Sequence, residues 1–321
     1  MGQQGGIGLV GDIGATNARF ALVGTGRKIT RMRVLADSDY SGIDEAIVGY
    51  LADVEDRPDQ VVLAVASPVT GDRISFTNNP WTFSIMELRR RLGLRRLEVI
   101  NDFTAVALAV PHLTVGDRVQ VGPGQPVADA PIGIIGPGTG LGVGALVHAG
   151  GAWVTLPGEG GHVTMAPGDA REGAVLDLMR RRFDHVSAER VLSGPGLVNL
   201  YNALCETEGV PSASYTAAQI TDPGIGARDP RCRDTVAMFC AMLGTVAGNL
   251  ALTLGACGGV YIAGGIIPKL GAAFAQSAFR ARFEQKGRMQ AYLAPIPTYV
   301  ITHAVPAFLG AATLLDERVS V

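Results

Sequence analysis

Two stretches of this chain lie over one another without a gap, and no other feature constrains the fold as much. IGLVGDIGATNARFAL (7–22) and IGIIGPGTGLGVGALV (132–147) match Ile7, Gly8 and Gly11 with Ile132, Gly133 and Gly136, an offset of 125 residues. Each reads as strand, glycine-rich turn, strand, so the two halves are expected to repeat one architecture. The length of 321 residues, about twice a ~150-residue domain, agrees with two domains. Glycine makes up 43 of the 321 residues and bunches in short clusters, which points to loops where backbone must approach something closely.

Composition removes several function classes. A hydrophobic share of 47% against 17% charged residues excludes a disordered chain. A net charge of −2 leaves no electrostatic footprint for nucleic acid or an anionic membrane. Cys205, Cys232, Cys240 and Cys257 lie far apart without CxxC spacing. They fit neither a disulfide framework nor a zinc site, and suggest a reducing, cytoplasmic compartment. The opening MGQQGGIGLV has no basic region followed by a long apolar run, so no secretory signal is expected. The longest uncharged stretch, Thr235 to Pro268, breaks at Gly255-Ala256-Cys257-Gly258-Gly259 before VYIAGG. It therefore reads as a buried helix and a buried strand, not a membrane span.

Along the first half, strands are expected at 7–11, 18–23 and 28–35, the last after the turn Gly24-Thr25-Gly26. A helix at about 42–53 has Ser41 and Asp44 as a capping-box-like start and Ile43, Ile47, Tyr50 and Leu51 as its apolar face. VVLAVA (61–66) and LEVI (97–100) read as buried strands, with a short helix starting at Ser84 and Glu87 between them. TAVALAV then looks helical up to Pro111. The passage 111–131 is loop-rich and marks the domain boundary. In the second half, helices are expected at about 171–183, 195–207 and 230–255, the last with Asp229 as N-cap and Pro230 at its first position. VYIAGG (260–265) and PTYVITH (297–303) read as strands, and 305–317 as a final helix.

Five constellations have the composition of a chemical site. In Gly11-Asp12-Ile13-Gly14-Ala15-Thr16-Asn17, small residues let backbone N–H groups face an anion, and Thr16 and Asn17 add side-chain donors. Asp12 would repel a phosphate directly but can hold Mg²⁺, usually through water. No GK[ST] follows, so this is not a Walker loop, and an ordinary hairpin turn is the competing reading. Gly136-Pro137-Gly138-Thr139-Gly140-Leu141-Gly142 repeats the context with a second pliant loop. Ala263-Gly264-Gly265-Ile266 ends a buried strand, where a plain strand-to-helix turn competes. Asn101-Asp102 ends another, and a carboxylate there can take a proton from a substrate hydroxyl; helix capping explains only one of the pair. In Gly158-Glu159-Gly160-Gly161-His162, one Glu and one His offer an acceptor and a donor, too few ligands for a closed zinc site. Glu189, in SAERVLSGPG, is a further candidate against the reading of a solvated helix-end carboxylate.

Taken together these segments resemble the bacterial glucokinase family of the hexokinase and actin-like ATPase superfamily, over nearly the whole chain. GDIGATNARFAL is similar to the family's first phosphate segment, IGPGTGLGVGAL to its second and GGVYIAGGI to its adenosine segment. VINDFTAVA resembles the segment of the catalytic aspartate; LPGEGGH, ERVLSGPGL and FTNNPW (76–81) resemble sugar-side segments. The resemblance implies an α/β, two-domain actin-like ATPase (ribonuclease H-like) fold with mixed sheets and an interdomain cleft. A small domain (1–110) would be completed by a C-terminal helix at about 302–321, and 111–301 would form the large domain.

It also implies phosphorylation of glucose by ATP at the 6-hydroxyl, in glycolysis, by a cytoplasmic homodimer that binds neither nucleic acid nor membrane. Asp102 would be the general base, with Asn79, Asn101, Glu159, His162 and Glu189 toward the sugar. Gly11, Asp12, Ile13, Gly14, Ala15, Thr16 and Asn17 would approach ATP from one side, Asp12 near Mg²⁺ through water. Gly138, Thr139 and Gly140 would form the other side, and Gly264 and Gly265 would sit by the adenosine. Two departures bear on this. Ala15 stands where many superfamily members have a second glycine, and the cysteine-rich zinc motif of the related repressor-and-kinase sugar kinases is absent, so no structural zinc is expected. The rival readings are a kinase for another hexose, a non-catalytic sugar sensor on the same fold, and a phosphate-ester or polyphosphate hydrolase.

Overall fold

The computed structural model describes residues 7–54, 56–76 and 79–316. Thr77 and Asn78 of the FTNNPW segment, and the residues beyond 316 expected in the final helix, lie outside the described residues. The chain divides into two compact units. One comprises the chain up to Thr114 together with the segment from His303 onward, and the other spans Val115–Thr302.

Among the described residues, the first unit has a five-stranded sheet in the order β3-β2-β1-β4-β7. Strands β1 (Gly8–Ile13), β2 (Asn17–Gly24) and β3 (Lys28–Ala36) form an antiparallel meander. Strands β4 (Gln60–Val65) and β7 (Arg96–Asn101) then extend it in parallel from β1. A small hairpin, β5 (Arg73–Ser75) with β6 (Thr82–Ser84), stands apart. Both sheet faces are covered, which is why β4 reads as an unbroken apolar run. Leu9, Ile13, Phe20 and Leu63 pack with Ile43, Ile47 and Tyr50 of the helix Ile43–Ala52 on one face. Val10, Ala21 and Val62 pack with Phe308, Ala311 and Ala312 of the helix Pro306–Asp316 on the other. That last helix meets the helix Asp102–Ala109 at Gly310, where a Cβ would overlap the Ala105 carbonyl oxygen.

The second unit has a six-stranded sheet in the order β11-β10-β9-β12-β13-β8. Its strands are β8 (Arg118–Gln120), β9 (Ile132–Pro137), β10 (Leu141–Ala149), β11 (Ala152–Gly158), β12 (Val260–Ile262) and β13 (Thr298–Ile301). Strands β9, β10 and β11 repeat the antiparallel meander, and β12 and β13 repeat the two parallel strands. The units thus share one strand order, and the two glycine segments matched at an offset of 125 residues occupy equivalent turns. The helix Pro230–Leu254 starts at an Asp229 side-chain cap and ends at Gly255, whose φ of 62° suits a residue without Cβ. It is long and apolar enough to cross a membrane, but 72% of its most apolar window is buried inside the protein, as in a core helix.

Three expectations change. The passage 111–131 contains strand β8, which pairs antiparallel with β13. The N-cap of the helix Ile43–Ala52 is Gly42, with no side-chain cap; the Ser41 N–H bonds instead to Glu45 Oε2 at 3.1 Å. Short helices at Ala217–Ile220, Pro223–Arg228, Ile267–Leu270, Ala272–Ala275, Phe279–Glu284 and Gln290–Leu293 fill stretches for which no element was expected.

Candidate active site

Sheet register in the first unit aligns three strand ends. Ile13 of β1 pairs with Val65 of β4, and Val65 pairs with Asn101 of β7. The turn after β1 and the Asn101-Asp102 pair therefore lie on the same carboxyl edge, where parallel strands collect ligands.

The turn is closed by the Gly14 N–H donating to the Asn17 carbonyl at 3.0 Å, and Asn17 Nδ2 donates to Thr16 Oγ1 at 2.9 Å. Among the described residues, the N–H groups of Ala15 and Thr16 have no protein acceptor, so both are available to an anion. Ala15 is not in the positive-φ region, so the methyl group in place of glycine costs no backbone strain. Gly11 serves packing instead: a Cβ there would sit 2.7 Å from the Leu63 side chain. Ile13 points into the core, so neither residue offers a side chain to a ligand.

Asp12 is half-buried and paired with Arg19, its cross-strand partner, at 2.9 Å. Burial raises its carboxyl above the ordinary range, and the Arg19 cation offsets part of that. Arg19 had no place in the sequence reading; the signal was available in the register, which sets it opposite Asp12. Among the described residues no cluster of three or more His, Cys, Asp or Glu side chains could hold a metal. One carboxylate beside free amides suits Mg²⁺ that arrives with a triphosphate and keeps most of its waters.

At the end of β7, Asn101 takes the cap. Its Oδ1 accepts from the N–H groups of Phe103 (2.9 Å) and Thr104 (3.3 Å), and its Nδ2 donates to the Ser67 carbonyl at 3.3 Å. Asp102 is thereby released from capping, with Oδ1 accepting the Phe103 N–H at 2.9 Å. Burial pushes its pKa up to about 6; the Asp12 charge adds to the rise, and the Phe103 N–H works against it. The Asp12 charge thus disfavours ionisation of Asp102 beyond the effect of burial.

Asn79 departs from its expected role toward a sugar. It is 6% exposed, with Nδ2 donating to Asp37 Oδ2 at 2.7 Å and to the Gly14 carbonyl at 3.4 Å. Its Oδ1 accepts the Trp81 N–H at 2.8 Å. The side chain is thus committed within the protein.

In the second unit, Glu189 joins two of the expected segments. Its Oε2 accepts the Leu141 N–H at 2.9 Å, at the end of the Gly138-Thr139-Gly140 loop. Its own N–H donates to the Gly161 carbonyl at 2.8 Å. A Cβ on Gly140 would stand 2.5 Å from that Oε2, so glycine there makes room for the carboxylate. The loop is also pinned by the Gly194 N–H donating to the Gly138 carbonyl at 2.8 Å. Gly264, at φ 83°, lies against the Pro137 carbonyl, which brings the Gly264-Gly265 turn beside the same loop. Glu159 and His162 are exposed, with His162 Nε2 3.9 Å from Glu159 Oε2, and both keep groups free for a ligand.

The family model described as Glucokinase matches residues 9–318. A glucokinase of Paramagnetospirillum magneticum is 54% identical over 312 residues, covering 96% of this chain and 97% of that protein. Among solved structures, glucokinase from an Antarctic psychrotroph superimposes with a TM-score of 0.88 at 36% identity, covering 96% of this chain and 98% of the other. Glucokinase from Balamuthia mandrillaris in complex with glucose reaches 0.79 at 20% identity, covering 97% and 93%, a likeness of fold.

Proposed function

This chain belongs to the glucokinase family, and from that premise we propose how its own residues phosphorylate glucose. The enzyme is an ATP-dependent hexose kinase that transfers a phosphoryl group to glucose. The acceptor is the 6-hydroxyl and Asp102 is the base that receives its proton. The observation that carries this assignment is the position of Asp102: freed from capping by Asn101, half-buried, and raised to about 6 by burial and by Asp12.

A carboxyl of that pKa is ionised at neutral pH and a better base than an ordinary aspartate, yet far weaker than an alkoxide. Proton transfer is therefore late, as the hydroxyl acidifies while attacking phosphorus. Phosphoryl transfer asks the protein chiefly for positioning and charge stabilisation. The free Ala15 and Thr16 amides and the Thr16 and Asn17 side chains receive the ATP phosphates. Gly138, Thr139 and Gly140 are a second phosphate-binding loop, and Gly264 and Gly265 bind the adenosine. Mg²⁺ would enter with ATP as part of the substrate and neutralise phosphate charge there, and Asp12 is the residue that would hold it.

Glu159, His162, Glu189 and the remaining donor of Asn101 read the sugar hydroxyls. A missing or inverted hydroxyl would leave such groups unpaired, which is how polar sites discriminate. The enzyme acts in the cytoplasm as a homodimer, in glycolysis; support for this is the family membership together with the cysteine usage. The test is ADP release with Mg·ATP across glucose, mannose, fructose, N-acetylglucosamine and no sugar. Stimulation by glucose is expected. Turnover with another hexose alone would move the specificity, and sugar binding without turnover would replace the kinase by a sensor.

A further inference from the structure

Behind the phosphate turn lies a buried polar pair that the reaction itself does not use. Asp37 and Asn79 are each 6% exposed, and come from segments far apart in the chain. Their contacts converge on the two carbonyls of the turn. Asn79 Nδ2 reaches the Gly14 carbonyl at 3.4 Å, while the Asp37 N–H donates to the Thr16 carbonyl at 3.1 Å. The pair is joined by Asn79 Nδ2 to Asp37 Oδ2 at 2.7 Å. It is anchored in the core by Trp81, whose N–H donates to Asn79 Oδ1 and whose indole N–H donates to the Tyr40 carbonyl at 3.2 Å. The Tyr40 N–H in turn donates to the Asp37 carbonyl at 3.3 Å.

The other oxygen of Asp37, Oδ1, is buried with no hydrogen-bond partner. Burial also raises this carboxyl above its ordinary range, and the Asn79 amide holds it back in part. A buried carboxyl with one orphaned oxygen is a poor device for stability alone, since an apolar residue of similar volume would fill the space at lower cost. Its position supplies the alternative. Drawing the Gly14 carbonyl backward fixes the peptide plane that also carries the unpaired Ala15 N–H, while the Asp37 main-chain bond to the Thr16 carbonyl fixes the far end of the turn.

We propose that Asp37 and Asn79 are positioning residues for nucleotide binding, a strut that holds the phosphate turn in its anion-receiving conformation. Resting on the glucokinase reading, this gives Asn79 a role toward ATP in place of the sugar contact expected from the sequence.

The experiment compares Asp37→Leu, Asn79→Ser and Asp37→Asn by steady-state kinetics, varying Mg·ATP at saturating glucose and the reverse, with melting curves alongside. Asp37→Leu removes the acceptor but fills the volume. Asn79→Ser keeps a hydroxyl for the Trp81 N–H but cannot span Asp37 and Gly14. Both should raise KM for ATP about tenfold or more, the scale of a small misplacement of binding groups. KM for glucose should stay within about twofold, a split that lost stability alone does not produce. Asp37→Asn keeps an acceptor for Asn79 without the buried charge, and should restore KM for ATP to within about twofold of wild type.

An unchanged KM for ATP in Asp37→Leu or Asn79→Ser would overturn the proposal. So would a rise in KM for glucose instead, an Asp37→Asn variant as impaired as Asp37→Leu, or the collapse of every variant. Failure of the functional reading looks different: wild type itself would show no sugar-stimulated turnover. Titration of the same variants with Mg·AMPPNP would then still test the strut, with a tenfold loss of affinity expected and an unchanged affinity contradicting it.

Discussion

Changing Asp102 to Asn keeps the shape of the side chain and its acceptor for the Phe103 N–H, but removes a charge that the fold disfavours. The folded pKa is about 6 against an ordinary 3.8, so the folded state holds this proton more tightly than the unfolded state. Below pH 3.8 both states are protonated and the ionisation cost is absent. Between 3.8 and 6 the cost grows as pH rises, and above 6 it is fully present. A shift of about two units at ~1.36 kcal/mol each sets a ceiling near 3 kcal/mol, and solvent reaching the half-buried carboxylate reduces it to about 1–3 kcal/mol. Asp102→Asn should therefore be more stable than wild type at pH 8, its melting temperature higher by several degrees at ~2–4 °C per kcal/mol. The gain should vanish near pH 4. The same variant should lose at least ~10²–10⁴ in kcat, the usual contribution of a general base. Calorimetry at pH 4 and pH 8 beside an ADP-release assay reads both effects. A variant that melts lower than wild type at pH 8, gains equally at pH 4, or turns over at the wild-type rate would refute the reasoning.

Two further substitutions probe the frame around the site. Gly140→Ala places a methyl group against Glu189 Oε2 and should displace it from the Leu141 N–H; losing a charged hydrogen bond should cost ~1.5–3 kcal/mol in thermal or urea unfolding, and kcat/KM should fall as the loop loses its brace. Kinetics equal to wild type would remove Glu189 as the brace of that loop. Gly310→Ala forces a methyl group onto the Ala105 carbonyl where two helices touch, and should cost at least ~2 kcal/mol in thermal or urea unfolding; an undiminished melting temperature would contradict that close contact.

Much of this arrangement was legible in the sequence wherever the signal is local. Ser84 does cap the helix Ile85–Arg91 through the Glu87 N–H, and Asp229 caps Pro230–Leu254, because a cap needs only residues within one turn. The VVLAVA run reads as a doubly covered strand since both of its faces must be apolar. The matching of 7–22 with 132–147 exposes the shared strand order because each segment carries its own turn. What escaped depends on distance. Strand β8 is three residues long, and its pairing with β13 joins positions about 180 apart. The Asp37–Asn79 bond spans 42 residues and the Leu141–Glu189 bond 48, so no window of sequence contains both partners. The resemblance of FTNNPW to a sugar-side segment points Asn79 toward the sugar, whereas its donors and acceptor are taken by Asp37, Gly14 and Trp81, partners that the segment alone does not show.

The central claim is that glucose is phosphorylated with Asp102 as the base, and its most direct test is kcat/KM for glucose with Mg·ATP between pH 5 and pH 9. The account predicts glucose 6-phosphate as the product and an acid limb of unit slope falling away below about pH 6, the pKa of Asp102 before sugar binds. Rates that do not depend on glucose, or a profile that runs flat through pH 6 down to pH 5, would contradict it.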